Sequence, residues 1–204
     1  MAEPPAGENA LVTDLSWAWL STPVGPVSVG CSDDGVAKVR YGSPPGRPDA
    51  ADHGEQLAEV EENRAGDARQ QLARDARKQL TEYFRGQRTR FDLPLDWSGT
   101  AGPQREVLRV LAASVGYGET ISYGGLASRA DLPAVGDVPP ARAVGTIMGS
   151  NPIPVIVPCH RVLAADGLGG YSGGAGVEVK RWLLILEGSL PPTLDWQPMD
   201  PARP

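Results

Sequence analysis

The sequence predicts an α+β protein: a small N-terminal antiparallel sheet with one helix, then a mostly helical C-terminal domain containing a helix-turn-helix-like segment. Three observations predict it. Short apolar runs broken by turn residues crowd the first forty positions, a helical apolar stripe follows, and beyond residue 100 apolar positions recur mainly at helical spacing.

Met1–Asn9 is polar and acidic and reads as a loose tail. Trp17–Leu20, Val27–Val29 and Val36–Val39 read as strands, and Asp33-Asp34-Gly35 between the last two is a hairpin signal. Residues 43–66 are rich in Pro, Asp, Glu and Gly and read as a flexible insert. From Asp67 to Arg85 the side chains of Leu72, Leu80, Tyr83 and Phe84 share one helical face, with Ala76 between them, and Gly86 supplies the stop. Phe91–Thr100 is an extended connector. It divides the chain into domains at 1–100 and 101–190, with 191–204 as a tail. In the second domain, Gln104–Val115 places Val107, Leu108, Leu111 and Val115 on one side of a helix. Ser122 can cap a short helix ending at Arg129, and Pro140 suits the first turn of another running to about Met148. That pair resembles a helix-turn-helix with an unusually long connection, Ala130–Pro139. Lys180–Leu186 is a final apolar helix, stopped by Gly188.

The net charge of −6 and the pI near 5.0 exclude a strongly basic nucleic-acid binder. The average hides a difference, because residues 101–188 hold seven basic and seven acidic side chains and are neutral. Any DNA contact there should engage few phosphates and depend only weakly on salt. The cysteines, Cys31 and Cys159, are far apart, so reduced thiols are expected rather than a disulfide framework. Two His and two Cys fit no compact metal-ligand spacing, and no metal site is expected. No apolar run reaches the ~20 residues of a membrane span, and the N-terminus lacks a signal-peptide pattern. The expected location is the cytoplasm.

The chemistry concentrates in Asn151-Pro-Ile-Pro-Val-Ile-Val-Pro-Cys-His-Arg161. A cysteine sulfur becomes a strong nucleophile once it loses its proton, and a neighbouring imidazole can take that proton. Cys159 and His160 are adjacent, and in extended backbone adjacent side chains point apart. A bridging water is therefore the expected relay, not a direct bond. A carboxylate must then orient the imidazole. Glu187 is the candidate, since an acid at a helix C-terminus opposes the dipole and wants a cationic partner. A lone cysteine is ordinarily a small buried hydrophobe, and Cys31 is read that way. Around Cys159 the prolines stiffen the approach and block regular helix, which fits a preorganised site better than ordinary core.

Pro158-Cys159-His160-Arg161 resembles the signature of the O6-alkylguanine-DNA alkyltransferases. The resemblance extends, in order, through Ile121-Ser122-Tyr123-Gly124, Ala141-Arg142-Ala143-Val144-Gly145, Asn151-Pro152-Ile153-Pro154, Tyr171-Ser172-Gly173-Gly174, Trp182-Leu183-Leu184 and Glu187-Gly188. A weaker match, at Thr22–Pro26 and from Tyr83-Phe84 to Pro94-Leu95, fits the family's small first domain. The resemblance implies direct repair of O6-alkylguanine in double-stranded DNA by a monomeric protein. Cys159 would accept the alkyl group once, activated by His160 and Glu187, with no cofactor. Asn151 would brace the turn behind the site. Tyr123 would act at the phosphate and ring of the flipped base. Arg142 would enter the vacated stack, with the small residues Ala141, Ala143 and Gly145 letting its helix approach the DNA backbone. Pro154, Val162, Tyr171 and Ser172 would wall the base pocket, with Lys180 nearby.

The chain departs from the family pattern at several places. Residues 132–139 form a longer loop, Thr146 and Gly149 stand where Gly and Arg are common, and Pro103 replaces an aromatic residue. Two extra residues lie between Gly174 and Lys180, and the zinc ligands of some first domains are absent. Two other readings stay open on the residues: a module that grips alkylated DNA without reacting, and a cysteine hydrolase. The hydrolase would need an oxyanion hole and would leave the helix-turn-helix-like segment without a purpose.

Overall fold

The computed structural model describes residues 15–45 and 68–193. The tail read at Met1–Asn9, most of the 43–66 insert and most of the 191–204 tail lie outside the described residues.

Strands β1 (Ser16–Leu20), β2 (Val27–Cys31) and β3 (Val36–Tyr41) form an antiparallel meander in the order β1-β2-β3. Their register pairs Leu20 with Val27 and Val27 with Tyr41, with a bulge at Gly30/Cys31. The predicted hairpin turn closes through the Ser32 N–H to the Gly35 carbonyl at 2.9 Å. Helix α1 (Ala68–Phe84) buries Ala73, Ala76, Leu80, Tyr83 and Phe84, and it packs against the sheet through contacts with β1 and β2. The buried stripe includes Ala73, while Leu72, expected there, is only half-buried. A small residue at 73 lets the helix lie close to the sheet. Each large apolar side chain buried in this layer contributes roughly 1.5–3 kcal/mol. The connector after α1 joins the sheet, with Val36 donating to the Pro94 carbonyl at 2.8 Å and Asp96 donating to the Val36 carbonyl at 3.0 Å.

The second half starts with α2 (Gly102–Ser114), whose buried face is Val107, Leu108 and Leu111, followed by buried Val115. Helix α3 (Tyr123–Arg129) begins at Ser122, whose hydroxyl accepts from the Gly125 N–H at 3.0 Å. Helix α4 (Pro140–Gly149) starts at Pro140, as its fixed φ favours, and packs on α3 to complete the helix-turn-helix-like pair. The long connection between them closes a turn from the Val138 N–H to the Val135 carbonyl at 3.1 Å and leaves Val135 70% exposed. Helix α5 (Val177–Leu186) begins three residues earlier than its apolar run suggests, because Gly176 at φ 71° turns the chain into its first turn.

Sequence periodicity did not anticipate one small element. Ile121–Ser122 (β4) pairs in parallel with Val162–Leu163 (β5), Ile121 opposite Val162. Two-residue strands carry no readable alternation. This pairing sets the start of α3 beside the segment that follows Cys159. Among the described residues, no helix is long and apolar enough to cross a membrane.

Candidate active site

The approach to Cys159 is a braced turn. Asn151 Nδ2 donates to the Val157 carbonyl at 2.8 Å, and its Oδ1 accepts from the Ile153 N–H at 3.0 Å. Val155 sits at φ 73°, a left-handed conformation that costs a β-branched residue of order 1–3 kcal/mol and persists only where its surroundings hold it. The chain then enters a single 3-10 turn, Cys159–Arg161, with the Arg161 N–H on the Pro158 carbonyl at 2.9 Å. This corrects the expectation of extended backbone at Cys159-His160. Pro158 leaves its carbonyl free to accept from Arg161, which tightens the segment. Successive side chains of a three-residue turn still diverge, and the hydrogen bonds acting on the sulfur come from Asn151, Tyr171 and its own backbone.

Next to the sulfur is a buried polar cluster. His160 Nε2 lies 3.0 Å from Glu187 Oε1. Arg161 grips the same carboxylate with both prongs, Nε to Oε2 at 2.9 Å and Nη2 to Oε1 at 2.8 Å, while its Nη1 donates to the Val115 carbonyl at 2.8 Å. Tyr83, from α1, donates its hydroxyl to Glu187 Oε1 at 2.6 Å. Glu187 caps α5, and Arg161 is the cation that an acid at a helix C-terminus wants. The carboxylate can only accept, so His160 must carry its proton on Nε2. Its Nδ1 then holds the lone pair, and that atom is buried with no hydrogen-bond partner among the described residues.

The electrostatics follow the burial. Desolvation pushes the Cys159 thiol up, against the Asn151 hydrogen bond and the Lys180 charge, so the resting sulfur is a thiol. Burial lowers the His160 pKa in spite of Glu187, which keeps the imidazole neutral and able to accept a proton. Burial alone would raise Glu187, but the hydrogen bonds and charges of His160 and Arg161 outweigh it and hold the carboxyl below its usual range. Lys180 is brought down to about 8 by burial.

Of the residues expected to wall the pocket or act in it, Tyr123, Tyr171 and Lys180 interact with Cys159. Pro154 and Val162 are buried. Lys180 Nζ donates to the Val162 carbonyl at 2.6 Å and to the Gly170 carbonyl at 3.3 Å, and lies 5.7 Å from the Tyr123 ring centroid. Tyr123 packs against Gly169, where a Cβ would come within 3.0 Å of its ring. The Tyr171 hydroxyl meets that of Tyr41, from β3, at 2.8 Å. Ser172 donates its hydroxyl to the Gly149 carbonyl at 3.1 Å. On α4, Arg142, Thr146 and Gly149 share the exposed face, and Val144 and Met148 the buried one. Ala141, Ala143 and Gly145 lie between, half-buried. A cavity of about 300 Å³ lined by Val24, Val179, Trp182 and Ile185 lies behind α5 and includes none of these residues.

Three residues of this cluster escape the sequence reading. Arg161 stands inside the motif but gives no sign there of which acid it meets. Tyr83 and Tyr41 look like core aromatics on a helix and a strand, and nothing local marks their hydroxyls.

Residues 15–97 match the ribonuclease-like domain of the 6-O-methylguanine DNA methyltransferase family, and residues 102–189 match its DNA binding domain. A methylated-DNA–protein-cysteine methyltransferase of Mycobacterium tuberculosis is 48% identical over 111 residues, 54% of this chain and 62% of the relative, so the match spans less than two thirds of that protein. A DNA base-flipping protein of Thermus thermophilus is 36% identical over 174 residues, 84% of this chain and 99% of the relative. The structure of Mycobacterium tuberculosis OGT in complex with DNA superposes with a TM-score of 0.63 at 34% identity, covering 85% of this chain and 92% of that one.

Proposed function

The chain belongs to the 6-O-methylguanine DNA methyltransferase family, and from that premise we propose that it repairs O6-alkylguanine in double-stranded DNA by one irreversible transfer of the alkyl group to Cys159. The observation that carries this reading is the buried imidazole of His160. One nitrogen is committed to Glu187, and the other is free to take a proton, within the same turn as the cysteine.

The alkyl carbon is out of reach in stacked duplex, so the base must rotate out at a cost of a few kcal/mol. Arg142, exposed near the start of α4, fills the vacated stack, while Ala141, Ala143 and Gly145 allow the helix to press close. Asn151 holds the turn, and Pro154, Val162, Tyr171 and Ser172 enclose the base. The Cys159 proton passes to His160 Nδ1 through a bridging water. The sulfur then attacks the alkyl carbon in line, the C–S bond forms as the C–O6 bond breaks, and guanine leaves with a proton taken up at its ring nitrogen. Tyr123 and Lys180 supply the donors beside the leaving base. The product is a thioether, and no group described at the site hydrolyses one, so each molecule reacts once. We further propose a monomer acting in the cytoplasm, with a domain boundary near residue 100.

A second reading is favoured by the similarity to the Thermus thermophilus base-flipping protein: a module that grips alkylated DNA without reacting. The two readings part on the sulfur. Incubation with a duplex containing O6-methylguanine should add one methylene mass to the Cys159 peptide, stoichiometrically with repaired DNA. Tight binding with Cys159 unmodified would select the second reading and overturn the first.

A further inference from the structure

We propose that Tyr83, carried on α1 in the N-terminal half, is a positioning residue of the alkyl-transfer relay: its hydroxyl fixes the Glu187 carboxylate that orients His160. The proposal deepens the repair reading and rests on it for the word relay.

Tyr83 is fully buried, and its hydroxyl donates to Glu187 Oε1 at 2.6 Å while lying 3.5 Å from His160 Nε2. The same oxygen receives His160 at 3.0 Å and Arg161 Nη2 at 2.8 Å. Three donors on one oxygen fix its position and share its electron density, so Tyr83 limits how strongly the carboxylate pulls on the imidazole. The phenol cannot swing away. Its ring is caged by Phe84, Phe91 and Tyr117 at centroid distances of 5.4, 5.3 and 6.1 Å. Burial and the adjacent Glu187 charge push its own pKa well above the ordinary value, which keeps it a neutral donor. Phenylalanine would fill this cage as well, so the hydroxyl is explained by its partner and not by packing.

The other groups facing His160 and Glu187 come from the two elements that carry those residues and from the segment before β4. Arg161 and Cys159 lie on the 3-10 turn and Lys180 on α5. Tyr117, before β4, spends its hydroxyl on the Leu186 carbonyl at 2.9 Å. Removing the Tyr83 hydroxyl leaves all of these in place. The carboxylate then loses one donor, its charge acts more fully on the imidazole, and the His160 pKa should rise.

The test is a 15N NMR titration of His160 in the full chain, which contains two histidines, His53 and His160, so assignment is direct. In Tyr83→Phe the His160 pKa should rise by about 0.5–1 pH unit. The acid limb of the rate of benzyl transfer from free O6-benzylguanine should move up with it, and the plateau should fall about three- to tenfold as the relay loosens. Incorporation of 3-fluorotyrosine at position 83 keeps the hydroxyl and the packing but makes it a stronger donor. It should lower the His160 pKa, and it decides the matter if Tyr83→Phe fails to fold. An unmoved His160 titration in the folded variants overturns the proposal. Absence of benzyl transfer to wild-type Cys159 would instead overturn the repair reading, and the titration would still decide the Tyr83 contact.

Discussion

Residues 102–189 and residues 15–97 contribute to the site in opposite ways. The C-terminal half supplies the sulfur, the imidazole, the carboxylate and the exposed face of α4, all within short, ordered motifs. The N-terminal half carries only the weaker matches at Thr22–Pro26 and from Tyr83-Phe84 to Pro94-Leu95, yet it reaches the same centre at three points. Tyr83 bonds Glu187, Tyr41 bonds Tyr171, and the Val39 N–H donates to the Pro152 carbonyl at 2.9 Å. Motif density thus marks the segment that carries the candidate reacting groups, while groups that hold them in place can come from a segment whose motifs are sparse and weak.

Glu187 is where the two halves meet, so its replacement should have the largest effect. Glu187→Gln keeps the shape but leaves the Arg161 charge buried without its counter-ion, a loss of about 3–5 kcal/mol. It also removes the group orienting His160, which should slow alkyl transfer by about 10²–10⁴-fold. The pH dependence has a definite sign. The folded carboxyl lies near 2 against an ordinary 4.5, so its stabilisation is complete above 4.5 and is lost as pH falls through about 2. Chemical denaturation between pH 7 and 2 should show a steeper acid loss for wild type than for Glu187→Gln. Parallel curves would mean that Glu187 is not held by Arg161 and Tyr83 in the way the distances indicate.

Arg142 belongs to the C-terminal half alone. Arg142→Ala should slow repair of duplex O6-methylguanine by about 10–100-fold, because a few kcal/mol of base extrusion go unassisted. Reaction with free O6-benzylguanine should change by no more than about twofold. Equal losses on both substrates would take the extrusion role from Arg142 and place its effect inside the pocket.

The legibility of the sequence divides along the same line. Short apolar runs between turn residues mark all three strands, β2 being buried throughout, while one-sided apolar spacing marks α1 and α2 and Pro140 marks the start of α4. The pairing of His160 with Glu187 is legible because an imidazole beside a cysteine calls for a carboxylate and an acid at a helix C-terminus calls for a partner. Arg161 and Tyr83 were not assigned, since a long-range hydrogen bond leaves no periodic trace and a buried phenol looks like any core aromatic. The 3-10 turn at Cys159 was misread as extended for a related reason: its geometry is set by Asn151 and Pro158 through contacts six residues apart or fewer, not by a repeating pattern.

Contacts made by Tyr41 should give smaller effects, graded by how rigid the partner is. A Cβ at Gly173 would collide with the Tyr41 ring and come within 2.7 Å of Tyr171. Gly173→Ala should therefore lower stability by about 1–3 kcal/mol and slow reaction with the free base, and Tyr41→Leu in the same chain should recover part of both. The smallest effect belongs to the paired hydroxyls. Tyr41→Phe leaves the Tyr171 hydroxyl with the Cys159 sulfur as its remaining partner and should lose about 0.5–1.5 kcal/mol in chemical denaturation. Tyr171→Phe should lose somewhat more, because it also removes the Tyr171 hydrogen bond to the Cys159 sulfur. Replacing both removes donor and acceptor together, so the double variant should lose less than the two single losses added. That shortfall measures the bond across the two halves in isolation from packing. If the losses simply add, the two hydroxyls are satisfied independently, and the N-terminal half touches the pocket wall without holding it.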